Sequence, residues 1–295
     1  MSRPAAARRP AGFTLIELVI VIVLLGILAV TLSQFITAPV KGYIDTSRRA
    51  ALVDTADTAL NRMTREIRLA LPNSVRVSGN AIEFLRIRTG GRYRGEPDPG
   101  DPASDPLEFA ATLSPETFDV LGELPDWAAI QALAGAGRAE CLAGTVDCLV
   151  IYNTGQPCIP GQPCLDAYQG GNVAGIDSAT ATRLGFSPAG AFPLRSPAQR
   201  FYVVDTPVSF VCDPGAGTVR RHDGYPIAPA QLTTDAALTG AGASSQLLVD
   251  RVSACSFSYV PGTATRSGLV TLELAISEAG ETVSLLQQVH VENLP

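Results

Sequence analysis

The spacing of apolar and polar positions changes along this chain, and each change predicts a different element. From Leu18 to Val30 the run LVIVIVLLGILAV contains no polar side chain. The mostly apolar stretch reaches from Phe13 to Ile36; as a helix rising ~1.5 Å per residue it would cover roughly 36 Å, enough to cross a hydrocarbon core of about 30 Å. Gly26 inside it reads as a small residue that membrane helices tolerate. Further on, Leu52, Ala56, Leu60, Met63, Ile67 and Leu71 recur every three or four residues, with Asp54, Asp57, Arg62, Arg65 and Glu66 mainly on other faces. That pattern predicts an amphipathic helix over 37–72 whose stripe, Met63 included, must bury against a partner, most simply a β-sheet of the same chain. Pro39 falls where the apolar run ends and predicts a kink or short break; Pro72, Asn73 and Ser74 mark the helix end.

After the helix the period falls toward two. Ser74 to Val77 and Ala81 to Leu85 read as strands joined around Ser78, Gly79 and Asn80, a hairpin signal. Strand signals return at Phe201 to Val204, Val208 to Cys212, Ser256 to Val260, Leu269 to Ile276 and Thr282 to Val291. Val270, Leu272, Leu274 and Ile276 alternate with Thr271, Glu273 and Ala275, as in a half-buried antiparallel strand. Between Gly95 and Pro197 the chain turns rich in Pro, Gly and Cys, and much of it reads as loop, with strand candidates only at Thr117 to Leu121 and Cys148 to Tyr152. The whole is an α+β chain, helix first and antiparallel sheet second.

Composition narrows the chemistry. Of 295 residues 46% are apolar and 17% charged, and the formal charge is −6. This leaves enough apolar material for a real core, and no basic patch that would suggest nucleic acid as a partner. The six cysteines, Cys141, Cys148, Cys158, Cys164, Cys212 and Cys255, lie downstream of the apolar run and are even in number, which fits an oxidising compartment. Cys141 with Cys148 and Cys158 with Cys164 are close enough to staple local loops; four thiolates holding zinc is the competing reading, without the usual ligand spacing. Cys212 and Cys255 sit in strand-like segments and suit a bridge between neighbouring strands, with connectivity left open.

Motifs of catalysis are missing: there is no G-x-S-x-G elbow, Walker A, H-E-x-x-H or C-x-x-C, so no enzyme is expected, and no cofactor or metal. Asp98, Asp101 and Asp105 could offer oxygen to calcium, but their spacing is not an EF-hand and the neighbouring prolines read as a solvated loop. His222, in VRRHDGYP beside Arg220, Arg221 and Asp223, reads as part of a solvated turn. His290 alternates with Val289 and Val291, and is expected to face solvent or a subunit.

The first residues carry the strongest signal. MSRPAAARRPAG holds three arginines and no acid, which by the positive-inside bias keeps this end cytoplasmic. No persuasive small-residue cleavage site follows Val30, as an ordinary secretory signal requires. Glu17 interrupts the apolar segment, where an acid at the bilayer centre costs about 2.5 to 3.5 kcal/mol. Gly12 to Glu17 reads GFTLIE, which resembles the processing signature of type IV prepilins and type II secretion pseudopilins. The resemblance implies that prepilin peptidase cuts between Gly12 and Phe13 and that the new Phe13 amine is N-methylated. It also implies that Glu17, four residues on, meets the N-terminal amine of a neighbouring subunit during assembly, which would offset part of its burial cost.

Further segments, QFITAPVKGYIDTSRRAAL, IEF at Ile82 to Phe84, VIYNTGQ from Val150 to Gln156, RFYVVDTPVSFVC and VSLLQQVHVENLP, together resemble the MshO-like minor pilins of the mannose-sensitive haemagglutinin (MSHA) pilus, relatives of the J-type minor pseudopilins. The implied organisation is a leader over 1–12, a membrane-spanning helix half over 13–36, an amphipathic periplasmic half over 37–72, and a β-rich pilin domain over 73–295 with an insertion at about 95–197. The implied setting is the bacterial inner membrane, crossed once, with the C-terminal domain in the periplasm and entry into the pilus. The implied partners are prepilin peptidase, other major and minor pilins, the inner-membrane assembly platform and membrane lipid. A type II secretion minor pseudopilin shares the same leader. A membrane-anchored periplasmic adhesin or enzyme using the Cys-rich insertion is the reading from another class.

Overall fold

From Leu15 onward the chain forms one long helix, α1, running Leu15–Ile67, which takes in Gly26, Pro39 and Gly42 without interruption. This and all that follows is taken from a computed structural model, which describes residues 12–109, 112–262 and 266–293. Leader residues 1–11 therefore lie outside the described residues. The chain divides after Ala51 into two compact units. In the first, α1 carries its apolar side chains uncovered, and the hydroxyls of Thr31, Thr37 and Thr46 donate back to carbonyls of Ile27 and Leu28, Ser33 and Gly42. Such internal bonding satisfies these three hydroxyls without water. Pro39 does not break the helix as expected: it removes one backbone donor, and the turns on either side keep theirs.

Burial on α1 starts at Leu52, not at residue 37. Tyr43 is 76% exposed, whereas Leu52, Ala56, Leu60, Met63 and Ile67 are all at 1% or less. The predicted stripe is thus the buried one. The helix stops at Ile67, short of the predicted residue 72, because a strand captures the chain: Leu71 N–H donates to Leu85 O and Ile87 N–H to Leu69 O, each at 2.8 Å.

That strand belongs to the second unit. In chain order its elements are β1 (Arg76–Ser78), β2 (Ala81–Arg92), β3 (Glu116–Asp119), α2 (Trp127–Leu133), α3 (Arg138–Leu142), β4 (Cys148–Val150), β5 (Val173–Ala179), β6 (Arg183–Ser187), β7 (Arg200–Asp213), β8 (Thr218–Asp223), α4 (Asp235–Gly240), β9 (Ser244–Val249), β10 (Val252–Val260), β11 (Gly268–Glu278) and β12 (Glu281–Val291). The β1–β2 hairpin turns where expected, with Ser78 opposite Ala81 and Gly79 at φ +57°. One sheet orders β1-β2-β7-β4-β5-β6-β3, with β8 and β9 branching from β7; the other orders β10-β11-β12. The described strand pairs are all antiparallel, giving an α+β fold in which the second half of α1 packs on sheet.

The branch explains one difference from expectation. Two strands were predicted around Phe201 to Val204 and Val208 to Cys212, yet β7 is continuous. One edge of it pairs with β4 through Tyr202, Val203 and Val204, then with β8 from Val208 onward. Pro207, which has no N–H to donate, lies in the gap where the partner changes.

The 95–197 region is also less loop-like than its composition suggests. Strands β3 to β6 belong to the main sheet, and Phe118, Phe186, Phe192, Phe201 and Tyr93 build a buried aromatic cluster, with Phe118 and Phe201 centroids 5.4 Å apart. Strands β5 and β6 each carry a glycine where a neighbour approaches closely: a Cβ on Gly175 would sit 2.5 Å from Gly137 C, and one on Gly185 2.5 Å from Ser178 Oγ. Three disulfides cross-link the second unit. Cys141 pairs with Cys148, Cys158 with Cys164 and Cys212 with Cys255. The last pair joins β7 to β10, strands of two different sheets, where neighbouring strands were expected.

Candidate functional site

The start of α1 is built by its own side chains. Thr14 stands at the N-cap and Glu17 three residues later. Glu17 N–H donates to Thr14 Oγ1 at 3.3 Å, while the Glu17 carboxylate accepts from Thr14 N–H at 3.2 Å and from Thr14 Oγ1 at 3.1 Å. This reciprocal pair is a capping box, satisfying two donors that the helix start leaves orphaned, and placing negative charge at the positive end of the helix dipole. The sequence reading missed it, although the T-x-x-E spacing ahead of an apolar run is its signal. Glu17 is thus tied to the helix start.

The cap also decides what a protease meets. The helix begins at Leu15, so the Gly12–Phe13 peptide bond lies outside it. Gly12 is exposed, a Cβ there would meet nothing within 4 Å, and Phe13 is 88% exposed. Hydrolysis at this bond needs no unwinding of α1. Because the Glu17 carboxylate already reaches the backbone N–H of Thr14, an amine created at Phe13 would arise one residue from it, within the range of charge-assisted pairing. Past the cap, α1 holds an 18-residue window of mean hydropathy 3.0 with none of it buried, long and apolar enough to cross a membrane.

Residues 7–33 match the family described as the Prokaryotic N-terminal methylation motif. That match supports a type IV pilin or pseudopilin type of protein. The match takes in the capping box, the Gly12–Phe13 bond and most of the apolar window. No curated protein and no solved structure matches the chain. For a pilin-type N-terminus, processing by prepilin peptidase and assembly with pilins in general follow from the motif, and the apolar helix is consistent with a single-pass membrane anchor.

The other residues singled out belong to the second unit. Asp98 and Asp101 accept from the backbone N–H groups of Gly100 and Ala103, closing turns. Asp105 accepts from the Thr117 hydroxyl and stands 3.8 Å from Arg183. Among the described residues no group of three or more His, Cys, Asp or Glu side chains is placed to hold a metal.

His222 corrects the reading of a solvated turn. It lies on β8, fully buried, with both ring nitrogens lacking a hydrogen bond, and its Nε2 sits 3.3 Å from Asp235 Oδ1. Burial holds the imidazole below its usual range, with Asp235 opposing that effect. The turn falls after it, at Gly224 with φ +74°. Ser245, opposite His222 across the β8–β9 ladder, donates its hydroxyl to Asp235 at 2.9 Å and accepts from Arg220 Nε at 2.8 Å. A serine that gives its proton to a carboxylate and takes one from a guanidinium is not paired with a histidine base as a nucleophile requires. Arg221, on the opposite face, is buried between Glu66 and Asp223 at 2.6 and 2.7 Å. His290 is exposed on β12. A surface depression of about 430 Å³ on the outer face of the β10–β12 sheet has Glu273 as the one titratable side chain among its lining.

Proposed function

We propose that this chain is a noncatalytic minor pilin of an MSHA-type type IV pilus, cut after Gly12, N-methylated at Phe13, and acting in assembly or initiation of the filament. The observation that carries the reading is a Gly12–Phe13 bond in exposed, non-helical chain, followed by a capped helix whose apolar side chains from Leu15 to Ile36 are exposed among the described residues. Cleavage on the near side of the helix keeps the anchor attached and creates a cation beside Glu17. In a filament the uncovered side chains of residues 15 to 36 find other helices in place of lipid, and Glu17 finds a neighbouring amine. The second unit, in the periplasm, sets position and partner choice. The MSHA assignment draws support from segments spread over the chain, from the residues after the apolar run to the C-terminal VSLLQQVHVENLP.

A type II secretion minor pseudopilin shares the motif, and loss of the chain separates the two: lost piliation favours the first, retained piliation with lost secretion the second. The central test is to produce the full chain with and without prepilin peptidase and determine the mature N-terminus. Phe13, methylated, is expected only with the peptidase. Any other N-terminus in its presence overturns the reading.

A further inference from the structure

The disulfides differ in what they hold. Cys141–Cys148 lies inside a buried cluster, and Cys212–Cys255 joins the cluster around α1. Cys158–Cys164 joins neither. Residues 157–163, PCIPGQP, are all exposed, and Ile159 at their tip is 46% exposed. The bond therefore organises the loop itself. Pro157, Pro160 and Pro163 restrict its backbone further, and Gly161, at φ +81°, supplies the turn between them.

The base of this loop is fixed with equal care. Gln156 and Leu165 form a bridge, and Thr154 N–H and Gly155 N–H both donate to Leu165 O. Buried Asn153 donates to Pro72 O at 2.7 Å and accepts from Ala167 N–H at 2.9 Å, joining the two stems to the connection between α1 and β1. Tyr168 OH donates to Ser74 O at 3.0 Å, and Asn73 Nδ2 to Asn153 O at 2.9 Å. Gly171 leaves room for the bond, since a Cβ there would overlap Cys164 Sγ. An exposed apolar side chain on a slack loop would lose much of its binding energy to ordering; here that ordering precedes contact.

From Thr154 to Leu165 no residue is charged. The loop therefore does not select phosphate, nucleic acid or a metal ion by charge. It offers one branched apolar side chain framed by prolines and amides, which suits an uncharged apolar cleft on a protein. Because both stems are tied to the segment that follows α1, a subunit seated on the loop is held in fixed relation to the end of that helix.

We propose that the Cys158–Cys164 loop is a preformed recognition loop whose Ile159 enters an apolar, uncharged cleft of another pilin-type subunit. The identity of that subunit rests on the pilin reading above; the loop's role in binding does not. The test places p-benzoylphenylalanine at Ile159 of the full chain, in cells that assemble the filament, with a control at exposed Leu247. Irradiation is expected to give one discrete adduct, identified by mass spectrometry as a protein with a prepilin-type N-terminus, its yield falling about tenfold when Cys158→Ser and Cys164→Ser are combined. A probe at Gln162 should lose its adduct similarly on Ile159→Asp, which leaves the disulfide in place. No adduct above the Leu247 control, an adduct indifferent to both changes, or one to a lipid or to a protein without that N-terminus overturns the proposal. Determining the N-terminus in the same cells separates the failures: an uncut chain defeats the prepilin reading, whereas a chain cut at Phe13 with no adduct defeats the loop.

Discussion

The structure shows one role for Glu17 and we propose a second, and a substitution can separate them. Its carboxylate caps the helix through Thr14, and its charge is proposed to meet a subunit amine. Glutamine keeps an acceptor for the cap, since Glu and Gln both serve at that position, but removes the charge. We therefore expect Glu17→Ala and Glu17→Gln to be cut normally and both to fail to enter filaments, read as mature mass against the amount in sheared pili. Rescue by glutamine would assign the requirement to the cap alone. His222 makes a second prediction at this scale. Asp235 approaches it from α4, Arg220 and Asp223 lie along its own strand with Arg221, and burial dominates, so its folded pKa lies below the unfolded value of about 6.5. The sign follows directly: the unfolded chain binds a proton that the folded chain refuses, so stability is full above that value and falls as pH drops below it, by up to about 1.4 kcal/mol per pH unit. Urea unfolding at pH 7 and pH 5 should show this slope, and His222→Gln should flatten it.

Elements were legible where their period was strong. The α1 stripe from Leu52 to Ile67, the β1–β2 hairpin and the alternation along β11 stand as read, because each buries one face and the buried positions recur at the element's own spacing. Strands β5, β6 and β8 were illegible for separate reasons. Glycines 175 and 185 replace side chains where α3 and β5 press in, and β8 buries an arginine and a histidine, residues that outside a tertiary setting signal solvent. The Arg221 pairing with Glu66 and Asp223 makes that burial affordable in a way visible only once α1 and β8 are adjacent. At this scale the Cys212–Cys255 bond is the clearest test. It closes a separation of 43 residues between two sheets, for which chain entropy alone assigns about 4 kcal/mol. Replacing both cysteines by serine should lower unfolding free energy by roughly that amount, measured by urea titration, with secondary structure unchanged in circular dichroism.

At the scale of the molecule, the division after Ala51 means that the two units should respond differently to attack. In detergent, trypsin is expected to cut first on the exposed part of α1, at Lys41, Arg48 or Arg49, leaving a resistant fragment that begins at Gly42, Arg49 or Ala50; first cuts between 52 and 293 would contradict the division, and mass spectrometry distinguishes them. Sequence by itself determined the processing motif, the apolar span, the amphipathic stripe and the supply of cysteines. Each of these is encoded locally, in neighbours or in a short period, and needs no knowledge of distant residues. Tertiary structure decided where burial on α1 begins, which strand β7 pairs with on either side of Pro207, that the 95–197 region completes the main sheet, and which cysteines meet. Those outcomes depend on long-range pairing, where a glycine is a point of close approach and a histidine is a core residue only because of what the fold sets against it. The capping box stood in the sequence as T-x-x-E, and the structure gave it meaning by placing the Gly12–Phe13 bond just outside the helix that it starts.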